Sequence, residues 1–163
     1  MASNTQAQHQ HGGDDRRHYY RLLGMVVLSF IAMYILMYAM VDSIANVYNN
    51  VNQFYMAGLM AAPMALIELL LMSSMYRDKR LNTIIAGVSI LALVCFFVLI
   101  RQQTVVTNGQ FLRSMIPHHA GAILMCEKSS AQAQQIKELC RTIISSQQSE
   151  IRQMKTLLEE LGR

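Results

Sequence analysis

The sequence predicts an all-α protein, three transmembrane helices followed by a water-facing antiparallel helical hairpin. Three observations carry this. The chain is 53% hydrophobic and only 15% charged, where a soluble domain is about a quarter charged. Three apolar runs, residues 22–41, 54–75 and 83–100, are each long enough at about 1.5 Å per residue to cross a hydrocarbon layer about 30 Å thick. From Gln102 onward the composition turns polar and the apolar residues recur at helical spacing. The chain therefore divides into a tail (1–18), a membrane region (19–101) and a hairpin (102–163).

The tail is polar, holds Gly12-Gly13 and has no apolar period, so it is expected to be disordered. His9 and His11 in it are most simply incidental. The first apolar run exceeds the apolar core of a secretory signal, and no A-x-A-like site follows it. It is expected to stay in the membrane. Arg16, Arg17 and Arg21 precede the first span, residues 42–53 contain no Lys or Arg, and Arg77, Lys79 and Arg80 follow the second span. The positive-inside rule then places the N-terminus in the cytoplasm and the hairpin outside. Arg101, at the third exit, is a small contrary signal.

Thr107 with Gln110 fits a capping box, predicting a helix over 108–128. Ser129 with Gln132 repeats the signature, predicting a second helix over 130–160 that stops at Gly162. The short link implies an antiparallel hairpin. Pro117 removes one backbone donor and predicts a kink rather than a stop. Ile116, Ile123, Ile136, Leu139, Ile143, Ile144, Ile151 and Leu158 make an apolar stripe. Two helices are half of a bundle and bury such a stripe poorly. A homodimer that completes four helices is therefore expected.

The first of these helices carries the chemistry. Met115, His118 and Met125 share a face at spacings of three and seven. His119 lies about 100° round the helix. On the second helix Gln147, Glu150 and Met154 share a face. Imidazole with thioether is a soft-to-borderline donor set, suited to copper, Cu(I) above all, and unsuited to Mg²⁺ or Ca²⁺. The candidate metal ligands are His118, His119, Met115, Met125, Met154 and Glu150. There is no H-E-x-x-H zinc motif and no pair of E-x-x-H motifs for two irons. Cys126 stands two turns, roughly 10 Å, from His119, too far for a nucleophile and its base. No enzyme is expected. No basic stripe interleaves with aromatics, so nucleic acid is a poor partner. The plainer alternative is that these methionines fill a core, as methionine at helical spacing commonly does.

The spans are themselves rich in methionine. Met33, Met37 and Met40 are spaced to share a face of the first, and Met56, Met60 and Met64 a face of the second. The pattern loosely resembles the M-x-x-x-M of Ctr-type copper transporters. Transport is thus one alternative, and a purely structural membrane partner is another. Glu68 lies within the second run, where an ionisable group costs roughly 2–3.5 kcal/mol. It is expected to meet a hydrogen-bond partner. Pro63 predicts a kink in the same helix.

The stretches FLRSMIPHHAGAILM (111–125) and IISSQQSEIRQM (143–154) resemble domain-of-unknown-function family 305. Phe111, Met115, Ile116, His118, His119, Ala122, Ile123 and Met125 fit the first part of its pattern. Gln147, Glu150, Ile151 and Met154 fit the second. The resemblance covers roughly residues 105–160. It implies a ferritin-like helical bundle, periplasmic or surface-exposed in bacteria, with copper binding and copper tolerance in some members. The expectation is a multi-pass protein of the bacterial inner membrane whose periplasmic hairpin sequesters copper or hands it over. Gln110 stands where the family often has an acidic residue, and Ala120 where it often has glutamine. Cys126 and Cys140 stand where small residues are common. A disulfide, inert thiols and metal ligation are all open to them.

Overall fold

The computed structural model describes residues 3–162, the first of them, 3–15, by backbone alone. The tail expected over 1–18, with His9 and His11, therefore lies mostly outside the described side chains. Among the described residues all regular structure is helical. The elements are α1 (Ser3–Leu36), 3₁₀ turns at Met37–Met40 and Ile44–Asn46, α2 (Val51–Leu71), α3 (Lys79–Gln102), α4 (Asn108–Glu127) and α5 (Gln134–Leu161). The chain forms two compact units. One is Met1–Tyr34 with Tyr55–Gln102; the other is Ile35–Phe54 with Gln103–Arg163.

Three helical stretches are long and apolar enough to cross a membrane: Arg16–Met40, Val51–Leu71 and Lys79–Gln102. Helix is the form such segments must take, because a backbone without water has to satisfy its own N–H and C=O groups. The second helix stops at Leu71, short of the apolar run, whose last residues form a turn. The third starts at Lys79 because the Asp78 carboxylate accepts from the backbone N–H of Arg80 and Leu81, at 2.9 and 3.0 Å. Pro63 and Pro117 both lie inside continuous helices.

Within the first unit, α2 turns its small residues inward. Ala57, Gly58, Ala61, Ala62 and Ala65 are buried, and small side chains let helices approach closely. A methyl group added at Gly58 would stand 2.5 Å from the Phe96 ring. Tyr19 donates to Asn82 Oδ1 at 2.7 Å and its ring lies 5.2 Å from that of Tyr76. Glu68 accepts from the Tyr76 hydroxyl at 3.3 Å, so the ionisable group of the second span has the neighbour it needs. A cavity of about 300 Å³ is lined by Val26, Phe30, Gly58, Ala61, Ser89 and Phe96 among others, and no methionine lines it. Met56 and Met60 face outward instead. Met37 and Met40 fall in the 3₁₀ turn beyond the end of α1, which breaks the methionine face expected on the first span.

The second unit is built on the α4–α5 hairpin. Its core is Leu112, Ile116, Ala120 and Ile123 from α4 with Ile151 and Met154 from α5. Ile136 and Leu139, expected in the apolar stripe, are exposed. The connection between the first two spans supplies a third layer: Val41 and Tyr48 pack on the core. Polar contacts hold this layer. The Tyr38 hydroxyl donates to the Tyr48 carbonyl at 2.8 Å. Lys155 Nζ donates to the Ala45 carbonyl at 3.1 Å. The Gln110 side chain accepts from the Val51 N–H at 3.0 Å, satisfying an orphan donor of α2. Half of the expected capping box is present, since Thr107 Oγ1 accepts from Gln110 N at 3.4 Å. The Ser129–Gln132 signature caps no helix. Ser129 Oγ accepts from Ala131 N, and α5 begins later, after Ala133. The hairpin core thus finds cover within its own chain, while Ile136 and Leu139 of the stripe stay uncovered.

Replacing Gly58 by leucine drives a branched side chain into the Phe96 ring. Overpacking of this kind costs about 1–3 kcal/mol. Thermal unfolding of the purified chain in mild detergent is expected at a lower temperature for Gly58→Leu. An unchanged midpoint would contradict the close approach.

Candidate functional site

The two adjacent histidines of α4 have separate fates. His119 turns inward, only 8% exposed, and both of its ring nitrogens are engaged. Nδ1 lies 2.9 Å from the Met115 carbonyl, one turn back, and Nε2 lies 2.7 Å from Glu150 Oε2 on α5. Each ring nitrogen thus has an oxygen partner. The other carboxylate oxygen of Glu150 accepts from the Ser146 hydroxyl at 2.7 Å. A chain of hydrogen bonds therefore runs from α4 to α5: Met115 carbonyl, His119, Glu150, Ser146. Ser146 was absent from the sequence-derived set. Its position four residues before Glu150, one helical turn, is the signal that points to it.

The Ser146 hydroxyl, and after it the His119 ring, hold the Glu150 carboxyl below its ordinary value; partial burial acts weakly the other way. Both His119 ring nitrogens are thus occupied by hydrogen bonds in this arrangement.

His118 lies on the exposed side of α4, its ring centroid 6.1 Å from that of His119. Met125 is 57% exposed, and Met115 is partly buried against the core. Met154, expected among the ligands, belongs to the core at 9% exposure. The predicted residues thus fall into three groups. His119, Glu150 and the Met115 backbone are linked. Met154 packs with Ile151. His118 and Met125 face outward with Met115 beside them. Among the described residues no three His, Cys, Asp or Glu side chains form a group able to hold a metal ion. The donors that remain free are an imidazole and thioethers.

Cys126 and Cys140 are joined by a disulfide that ties α4 to α5, with their Cα atoms 5.1 Å apart. Of the three options left open by the sequence, the disulfide is the one the structure contains. Cys95 is free and exposed.

Fold and site together define a class: an all-helical protein with three helices fit to cross a membrane and a covered helical hairpin presenting an exposed histidine–methionine face. The family model described as Domain of unknown function (DUF305) matches residues 99–159. The chain is also similar to Uncharacterized protein L153 of Acanthamoeba polyphaga mimivirus, 34% identical over 142 residues, which is 85% of this chain and 91% of that protein. The chain belongs to this family. The second match is too long to fit the hairpin alone, so the likeness extends into the apolar helices. That relative is viral, and the expected bacterial source draws nothing from it. No solved structure matches the chain.

Because the Glu150 carboxyl is held below its ordinary value of 4.5 in the folded hairpin, its ionised form is the one that stabilises the fold. That contribution is present at neutral pH and is lost as pH falls through the lowered value. Thermal unfolding across pH 3–6, followed by circular dichroism, is expected to show a drop on the acid side that Glu150→Gln reduces. Parallel curves for the two proteins would remove Glu150 from the account.

Proposed function

We propose that this chain is a membrane-anchored metal-binding protein. It holds copper, with Cu(I) favoured, on the outward face of α4. Its role is sequestration or hand-over rather than turnover. The observation that carries the reading is the exposure of His118 and Met125 on one face with Met115, while the neighbouring imidazole is committed to Glu150. Met115 and His118 are three residues apart, about 4.5 Å along the axis, close enough to share one ion. Met125 stands about two turns further on, past the small side chain of Ala122, and helical side chains lean back toward the N-terminus. Thioethers and imidazole need little or no deprotonation to bind, and together they suit a soft cation. In this division His119 and Glu150 fix the helix that presents the donors, and Met154 packs the core beneath them.

In this reading all three apolar helices cross the membrane, so the N-terminus and the hairpin lie on opposite sides. The connection between the first two spans then lies on the hairpin's side, which agrees with its inclusion in the same compact unit. The charge pattern assigns that side to the outside, the periplasm in a bacterial inner membrane. The transport alternative has less behind it, because no methionine lines the cavity among the membrane helices. A dimer would draw on the part of the stripe that stays exposed, Ile136 and Leu139, since Val41 and Tyr48 cover the core positions.

Copper retained by the full chain in detergent, measured after desalting, is expected to fall by most of its value in a His118→Ala/Met115→Leu variant. Equal and low retention in variant and wild type would end the metal reading. Topology is checked separately. A reporter fused to the C-terminus should be active only outside the cytoplasm, and activity within it would invert the orientation.

A further inference from the structure

The Cys126–Cys140 bridge lies apart from the histidine face and does work that the proposed copper site leaves unexplained. Cys126 is at the end of α4 and Cys140 is in the second turn of α5. The core and the His119–Glu150 link already join the two helices further along. A cavity of about 200 Å³ is lined by both cysteines, Lys137, Arg141, Ile136 and Ile144 among others. The sulfurs are thus reachable by a small reagent, and two cationic side chains border them.

We propose that this bridge is reducible, and that its open dithiol form holds one soft monovalent cation as a second site, distinct from the His118 face. A dithiol reductant opens it in two steps. One reductant thiolate attacks one cysteine sulfur, the Cys126–Cys140 bond breaks, and the other cysteine leaves as thiolate. The second reductant thiol then closes a disulfide within the reductant and releases the first cysteine. Two electrons and two protons pass to the cysteines, and the reductant is oxidised to its cyclic disulfide. A cation M⁺ next displaces the two thiol protons and forms a bis-thiolate complex of charge −1. Lys137 and Arg141, which line the same cavity, favour that negative charge. The Cα separation of 5.1 Å keeps both sulfurs within reach of one ion after rotation about the Cα–Cβ bonds.

The choice of cation follows from the donor count. Among the described residues no third His, Cys, Asp or Glu joins the two cysteines in a ligand group. Zn²⁺ in structural sites takes four ligands. Cu(I) and Ag(I) accept two sulfurs in a line, and thiolates select them. The proposal stands whether or not His118 binds copper.

The test uses the full chain in detergent, with Cys95→Ser throughout so that the exposed third thiol is not counted. Protein is reduced with dithiothreitol, freed of reductant without oxygen, and titrated with Ag(I) alone and Cu(I) alone against a coloured chelator. The reduced form is expected to bind one cation more per chain than the oxidised form. The extra equivalent should vanish in Cys126→Ser/Cys140→Ser, persist in His118→Ala/Met115→Leu, and shield two thiols from iodoacetamide. Equal counts in the two redox forms would overturn the proposal. So would a bridge that dithiothreitol opens only in denaturant, or a loss of helical signal on reduction. Loss of the extra equivalent in the His118 variant would show one shared site rather than two. Loss of the remaining equivalents with the extra one intact would instead leave this proposal standing and locate the other site on the His118 face.

Discussion

Two helices cannot enclose an apolar core unless something closes the third side, and that constraint organises the second unit. Ile116 and Ile123 are 0% and 1% exposed, a burial worth about 1.5–3 kcal/mol for each side chain. The connection between the first two spans provides the cover, through Val41 and Tyr48. That segment is a loop by sequence and a layer by structure. Its own backbone is held by Lys155, Gln110 and an internal tyrosine contact.

The same burial divides the chemistry of the site. Adjacent residues on a helix point about 100° apart, so a helix with one face against a core can turn only one of His118 and His119 inward. The inward imidazole meets a carboxylate and a carbonyl, which hold it in one orientation and use up its nitrogens. Breaking the link from the carboxylate side leaves the buried imidazole nitrogen without its partner. The outward imidazole is exposed. A paired motif in sequence is therefore two arrangements in space, one imidazole fastened and one exposed.

The disulfide is a second fastener placed where the first cannot act. The hairpin turn lies beyond the core, and the side chains there, Ile136 and Leu139, are exposed. A covalent link restrains α5's first turns without apolar burial, chiefly by limiting the unfolded chain. Cavity access to those sulfurs separates this bridge from one sealed inside a core.

Helical class, the three apolar stretches and the start of α4 at Asn108 were legible from residue order, because each rests on local rules: hydropathy over a membrane thickness, a 3.6-residue period, and Thr107 as a cap. The His119–Glu150 partnership was half legible. Helical phase grouped Glu150 with Met154 and set His119 about 100° from His118, but which of the two histidines faces α5 depends on the register between the helices, and packing decides that. The start of α5 was read too early because Ser129 finds a turn N–H, an option as open to serine as a helix cap. The covering layer was not legible at all. Val41 and Tyr48 lie more than fifty residues from the α4 and α5 positions they cover, and no local pattern encodes which distant surface a connecting segment will bury. Periodicity and charge reach only along the chain, whereas burial is decided by which surfaces meet.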